Sequence, residues 1–252
     1  MTTRDEIAAL LDDVLAVREI PDDSLNGMQV EGCEQVERVA VATDAALAVY
    51  EKAAGEGCQM IVAHHGILWK GQMQPVAGAF RRQIAFLLDR RMSLYAAHLP
   101  LDVHADLGNN AELCRVAGVV DREPFGAYHG IRIGFGGRLE EPVPVRDLAV
   151  RLAAQTGGAP VVMPFGPETV RRVAFVSGGG SFALGEAIES GYDCLVTGEG
   201  SHWNHHVALE AGIHVVYLGH YHSETLGPRA VGRVLEDRLG LETVFVDEPT
   251  IV

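Results

Sequence analysis

Basic residues are in short supply. Twenty Lys plus Arg face 34 Asp plus Glu in 252 residues, a formal charge of −14 at pH 7 with neutral histidines. A nucleic-acid coat draws its affinity from cations that displace phosphate counterions. This balance therefore disfavours nucleic acid as a general partner and leaves only a local patch or a bound cation to attract a polyanion. Cysteine is scarce as well: Cys33, Cys58, Cys114 and Cys194 are scattered with no Cys-x-x-Cys pair. That argues against a disulfide framework or a thiolate zinc site and for reduced, buried thiols. No uninterrupted apolar stretch reaches the ~18 residues of a membrane span, and Met1 to Leu10 has no basic segment followed by an apolar one. The expectation is a soluble, cytoplasmic chain with no membrane partner. A Gly-x-Ser-x-Gly element is missing, which disfavours an α/β-hydrolase nucleophile elbow. Gly178-Gly-Gly-Ser lacks the Lys and the spacing of a phosphate-binding P-loop, and a tight strand-to-helix turn accounts for it as well.

Hydrophobic residues make up 48% of the chain, enough for a full core in one large domain or two small ones and too many for disorder. Short β-branched runs alternate with helical stretches, the pattern of parallel strands joined by crossover helices and hence an α/β fold. Helical spacing over 3–17, with Thr2 or Thr3 as cap, is followed by strands at Val39–Thr43, Met60–Ala63 and Ser93–Ala97 and helices at 45–54, 79–90 and 110–116. A second series has strands at Val173–Ser177, Cys194–Thr197 and His214–Leu218 and helices at 182–189 and around 207–211. The Gly-rich segment Gly126–Gly137, followed by Pro142 and Pro144, marks the expected boundary. The expected units are 1–125 and 126–252, with the C-terminal part of the second packing back toward the first.

The second series repeats the first. At an offset of 134, Val39-Ala40 falls on Val173-Ala174, Gly57 on Gly191, Val62 on Val196 and His65 on Glu199; at an offset of 122, Tyr95 meets Tyr217, His98 meets His220 and Asp102 meets Glu224. Two units on one plan, each ending a strand with His-x-x-x-Asp/Glu, indicate an internal duplication.

Histidine carries the chemistry. His64-His65, His98 and His220 each follow an apolar strand, where open α/β sheets gather functional side chains. Strand neighbours point to opposite faces, so His64 and His65 converge only if the chain is turning, and Gly66 supplies the turn. With Asp102 and Glu224 the candidate donors are imidazoles and carboxylates without a thiolate. Such a set suits Zn, Fe, Mn, Co or Ni. There are more donors than one catalytic zinc needs, so two divalent ions sharing a carboxylate is the economical arrangement, able to activate water near neutral pH. His104, His129 and His214 read as ordinary core or surface histidines. His202, His205 and His206, after Glu199, read as site-lining residues in competition with solvated surface, and His222 competes with His220 for the ligand role.

The segments Leu25-Asn-Gly-Met-Gln-Val, Val62-Ala-His-His-Gly, Tyr95-Ala-Ala-His-Leu-Pro-Leu-Asp, Gly108-Asn-Asn, Val196-Thr-Gly-Glu and Gly219-His-Tyr-His-Ser-Glu span residues 25–224. In that order they resemble the dinuclear metal-centre hexameric proteins, the Nif-three-like family often labelled GTP cyclohydrolase type 2 homologues. The resemblance implies two related α/β/α units, a pair of metal ions in the cleft between them and a homohexameric ring. It implies His64, His65, Asp102, His220 and Glu224 as metal ligands, Glu224 bridging, with His98 beside the metals as a catalytic group rather than a ligand. The repeat alone would make His98 a ligand like His220. Three residues separate His220 from Glu224 where some members have two, so His222 stays open as the alternative to His220. The implied activity is metal-dependent hydrolysis of a small-molecule nucleotide, with water attacking C8 of a purine ring, or of a phosphate ester. A non-catalytic metal-binding or metal-delivery protein, or a ring-shaped interaction scaffold, is the alternative.

Overall fold

The computed structural model describes residues 2–72 and 75–251. In chain order the first elements are β1 (Thr2–Thr3), α1 (Arg4–Val14), β2 (Gly27–Val30), β3 (Gln35–Val36), β4 (Arg38–Asp44), α2 (Leu47–Gly55), β5 (Met60–His65), α3 (Gly78–Asp89), β6 (Ser93–Ala96) and α4 (Leu99–Asp102). There follow α5 (Asn109–Ala117), β7 (Val119–Tyr128), β8 (Ile131–Val143), α6 (Val145–Thr156), β9 (Val161–Met163), β10 (Val170–Val176), α7 (Leu184–Glu189), β11 (Cys194–Thr197) and α8 (Asn204–Ala211). The chain closes with β12 (His214–Tyr217), α9 (His220–Ser223), α10 (Leu226–Leu239) and β13 (Glu242–Phe245). They form two compact units, Met1–His104 with Gly227–Glu248 and Ala105–Leu226 with Pro249–Val252. Among the described residues no helix is long and apolar enough to cross a membrane.

In the first unit the five-stranded sheet has the order β13-β4-β5-β6-β2. β13, β4, β5 and β6 are parallel, and β2 runs antiparallel on β6. Val39 to Ala42 and Met60 to Ala63 are buried throughout, as expected for parallel strands covered on both faces. α2 and α3 supply Val49, Tyr50, Ala53 and Leu87 to a core shared with Ile61 and Leu94. Of the two candidate caps for α1, Thr3 does the work: its hydroxyl accepts from Glu6 N–H at 3.2 Å and Glu6 Oε2 accepts from Thr3 N–H at 2.7 Å, a reciprocal capping box.

The second unit has a six-stranded sheet, β7-β8-β10-β11-β12-β9. Its three central strands β10, β11 and β12 are parallel, with the antiparallel β9 beside β12. β4-β5-β6-β2 has the same order of three parallel strands and an antiparallel edge. Val39 pairs with Met60 in one sheet and Val173 with Cys194 in the other, one register displaced by 134 positions. On the opposite flank the sheets differ, because β13 is parallel to β4 whereas β8 is antiparallel to β10.

The Gly-rich segment is not a linker. The break expected after Phe125 falls inside β7, and the following residues form a hairpin turned by His129 and Gly130, both at positive φ (47° and 85°). That is the two-residue turn whose twist matches the strands. The other glycines of this segment answer to packing. A Cβ on Gly134 would stand 2.1 Å from the Phe175 carbonyl oxygen, so β8 can lie against β10 only without a side chain there, and one on Gly136 would collide with the Tyr192 ring, 2.2 Å from its Oη.

Candidate metal centre

His64 and His65 close β5, whose buried apolar run holds them at the C-terminal edge of the parallel sheet. His98 follows β6, the next strand, and immediately precedes α4. The ring centroids of His64 and His65 are 4.5 Å apart, and that of His98 lies 5.2 Å from His64 and 5.6 Å from His65. One ring nitrogen from each lies within 4.8 Å of the others, a cluster that could hold a metal ion. Gly66 makes room rather than supplying a turn. A Cβ there would meet the Gln29 amide at 2.4 Å, and Gln29 Oε1 accepts from Ile67 N–H at 2.7 Å and Leu68 N–H at 3.2 Å. The chain leaving β5 is thereby fixed from β2.

Each imidazole is held through its Nδ1. His64 Nδ1 is 3.0 Å from the Ala97 carbonyl oxygen, His65 Nδ1 is 2.8 Å from Asp44 Oδ1, and His98 Nδ1 is 3.0 and 3.1 Å from the two oxygens of Asp22. An acceptor at Nδ1 places the proton there and presents Nε2 as the donor atom toward a metal, the usual second layer around metal-binding histidine. Asp102, buried at the end of α4, brings Oδ2 to 3.6 Å from His64 Nε2.

The turn before β2 frames His98. Asn26 Oδ1 accepts from the His98 N–H at 2.8 Å, and Asp22 Oδ2 accepts from the Leu99 N–H at 2.9 Å and from Asn26 Nδ2 at 2.8 Å. Burial pushes the Asp22 carboxyl up, but the hydrogen bond and charge of His98, with Asn26 and the Ser24 N–H, outweigh it and hold the group below the ordinary carboxylate range. The Trp69 ring meets His98 edge-on at 5.0 Å.

The second unit collects its donors at the same end of β10, β11 and β12. His220 Nε2 is 3.3 Å from Glu224 Oε2, one helical turn on, and His220 Nδ1 is 3.3 Å from Glu199 Oε1. The hydrogen bond to Glu224 is the leading reason that the His220 imidazolium is stabilised, to a pKa of about 9 without metal; burial opposes it, and the charges of Glu224 and Glu199 add to it. Gly178, at φ 57°, closes the floor: a Cβ would fall 2.2 Å from Glu224 Oε1 and 3.0 Å from His220 Nε2. Its N–H donates to Ser223 Oγ at 2.9 Å, and its carbonyl accepts from the N–H groups of Gly198 and Glu199, each at 3.0 Å. The buried Asn110 braces this turn, accepting from Ser177 N–H at 2.7 Å and donating to the Ile133 carbonyl at 2.8 Å. Gly178-Gly-Gly-Ser therefore serves as a turn that abuts a carboxylate.

His222 is held elsewhere. Its Nδ1 is 3.2 Å from the Thr156 carbonyl oxygen and its ring covers Gly158, where a Cβ would be 2.6 Å from Cδ2. His220 is thus the residue directed at Glu224. His214 has both nitrogens paired, Nδ1 with Gly166 N–H at 3.0 Å and Nε2 with the Pro167 carbonyl at 2.8 Å. His104 meets the Val14 carbonyl at 3.1 Å, and His129 sits on the hairpin turn. His202, His205 and His206 line an open cavity with Tyr217. Burial raises the thiols of Cys58 to about 11 and Cys114 to about 12, and raises Cys194 further. Such thiols are poor metal ligands at neutral pH.

Comparison with known proteins gives the family. The family model described as Duf34/NIF3 (NGG1p interacting factor 3) matches residues 2–250. The chain belongs to the Duf34/NIF3 family. A relative in Archaeoglobus fulgidus named GTP cyclohydrolase 1 type 2 homolog is 45% identical over 97% of this chain and 98% of its own. Among solved structures, TTHA1606 from Thermus thermophilus is similar at 39% identity and a TM-score of 0.90, covering 99% of this chain and all of that one. A structural-genomics protein named ybgI is similar at 34% identity and a TM-score of 0.92, with the same coverage. The donors in this Duf34/NIF3 chain are nitrogen and oxygen throughout, with each imidazole already oriented by an acceptor. That chemistry fits divalent transition metals. Sequence reasoning missed Asp22 and Asp44, which touch the histidines without being candidate ligands. Asp44 had a signal: it ends the strand beside β5, in register with His65.

Proposed function

We propose that the protein is a metal-dependent hydrolase of a nucleotide or another phosphate-containing small molecule. In this reading His64, His65 and Asp102 of the first unit and His220 and Glu224 of the second serve a common pair of divalent transition-metal ions, Fe, Mn, Zn, Co or Ni. The observation that carries it is the convergence of His64, His65 and His98, one ring nitrogen from each within 4.8 Å of the others, with Nδ1 of each ring held by an acceptor. Metal-binding histidines typically lose affinity about 10–100-fold when such partners are removed. The substrate class is supported by the naming of relatives as GTP cyclohydrolase 1 type 2 homologs.

When bound, the ions would supply Lewis-acid polarisation of the electrophile and a water acidic enough to react at neutral pH. Asp102 and Glu224 offset the positive charge. His98 keeps its Nδ1 proton on Asp22 and so presents Nε2 as a base, able to take a proton and return it to a leaving group. Trp69 against the His98 ring limits its freedom and its exposure to water.

The matching strand order and register support an internal duplication of a βαβ unit. A homohexameric ring and a cytoplasmic location complete the proposal, the first supported by the family resemblance and the second by four free cysteines, the state that thiols keep in a reducing compartment. The test is elemental analysis followed by an activity screen over nucleotides and phosphoesters with Mn, Fe and Zn supplied in turn. Close to two ions per chain and metal-dependent turnover on one substrate class are expected. Two ions that exchange readily, with no turnover on any member, would turn the reading to metal delivery.

A further inference from the structure

The second unit holds an open cavity of about 480 Å³ that the metal donors do not use. It lies within the range of about 300–1,000 Å³ that small-molecule sites occupy. One wall is apolar: Val161, on β9, pairs with Tyr217 of β12, and Met163 stands two residues along the same strand face. The other wall is Ser201 with His202, His205 and His206, three imidazoles at i, i+3 and i+4 around the start of α8.

Two features select a ligand. First, among the described residues the lining contains no carboxylate, although the chain carries 34 acidic residues. An anion is admitted where most of the surface would repel it. The polar side chains among the lining residues, those of His202, His205, His206, Ser201 and Tyr217, all carry groups able to donate hydrogen bonds. Second, two of the chain segments that build the cavity lead directly to the His220–Glu199 pair. Glu199, which meets His220, lies one residue before Gly200 and two before Ser201, and Tyr217 lies three residues before His220. The approach is held rigid. A Cβ on Gly200 would be 2.4 Å from the Tyr217 ring, and the buried Asn204 accepts from Ser201 N–H at 2.6 Å and donates to the Ser181 carbonyl at 3.2 Å.

We infer that this cavity binds the phosphate and attached ring of a nucleotide-sized phosphate ester, with Ser201, His202, His205 and His206 on the phosphate and Val161, Met163 and Tyr217 against the ring. The inference rests on the phosphate-containing substrate class proposed above and adds the residues that recognise it.

Calorimetric titration of the full-length protein with GMP, guanosine and inorganic phosphate, both metal-loaded and after chelation, tests the assignment. GMP should bind more tightly than guanosine. The double variant His202→Gln/His205→Gln, altered at exposed positions that leave the core intact, should weaken GMP binding by about tenfold or more with the ion content per chain unchanged. GMP no tighter than guanosine, equal affinity in the double variant, or loss of an ion from it would overturn the assignment, the last by making these histidines metal ligands. Histidine-dependent GMP binding to the chelated protein would uphold the cavity even if the activity screen failed. Two ions per chain with no GMP binding by the wild type would overturn the cavity and leave the metal centre standing.

Discussion

Asp22 and His98, 76 positions apart, meet through both carboxylate oxygens at 3.0 and 3.1 Å from Nδ1. The same carboxylate takes the N–H of Leu99, so one acidic side chain orients the ring and anchors the backbone of α4, which ends in Asp102. Its removal should therefore act on stability and on the site together. Asp22→Ala should lower the unfolding free energy by about 2–4 kcal/mol at pH 7, the range for stranding buried partners of a charged group. The folded-state pKa of Asp22 is depressed, so its contribution is complete above the unfolded value of about 3.9 and is lost as pH falls through the folded value. Denaturant titrations at pH 7 and pH 3 should show the gap between wild type and variant narrowing on acidification. A gap independent of pH would contradict the ionic role.

Glu224→Gln keeps size and most hydrogen bonding but removes the charge that offsets a dication. The variant should lose at least one ion per chain and all metal-dependent activity. Lys52→Ala serves as control. Lys52, on α2, donates through Nζ to the Asp247 carbonyl at 2.7 Å and pairs with Glu248, neither of which is a candidate ligand, and its loss should leave metal content untouched. Full metal retention by Glu224→Gln would shift the ligand assignment to Glu199.

Metal uptake should depend on pH through His220. Without metal its raised pKa, about 9, means that its bonded proton stabilises the fold fully below the unfolded value of about 6.5 and ceases to do so as pH rises through 9. An entering ion must displace that proton. Apparent affinity, read by competition with a chromophoric chelator, should climb from pH 6.5 to 9 and then level off. His220→Gln should flatten the curve, and an unchanged slope in that variant would remove His220 from the ligand set.

Gly178→Ala should be severe for so small a change. The left-handed backbone costs about 1–2 kcal/mol for a residue with a Cβ, and the added carbon would collide with Glu224 Oε1. Reduced metal content together with a lower melting temperature is expected. Normal metal binding would show that the floor of the site can yield.

Assembly is open to direct measurement. Light scattering should give about six times the chain mass of 27.1 kDa. A monomer at micromolar concentration would remove the ring from the proposal.

Much of this was legible in the chain. Val39–Thr43 and Met60–Ala63 announce buried parallel strands because both faces are covered and nearly every position is apolar, and His64 and His65 after the second run mark a functional edge because polar residues cluster where the strand ends. Less legible was the Gly126–Gly137 segment. Glycines that serve close packing, as Gly134 does against Phe175, look the same in sequence as glycines that serve a flexible joint. Asp44 also escaped notice, since its approach to His65 depends on which strands are neighbours.

The sequence by itself determined the donor chemistry, imidazole and carboxylate without a reactive thiol, and the α/β alternation that delivers it to strand ends. Both follow from residue type and periodicity, which are local properties. Only the tertiary structure decided which histidine is aimed. His220 faces Glu224 and Glu199 while His222, two residues on, is turned onto Gly158 and the Thr156 carbonyl. In a short helical turn, residues two apart lie on different faces, and the partners from outside the turn, Glu199 for His220 and Thr156 for His222, lie 21 and 66 positions away. The same holds for Asp22 and Asp44: a carboxylate becomes the orienting partner of an imidazole only when strand order and loop path bring it within hydrogen-bond reach.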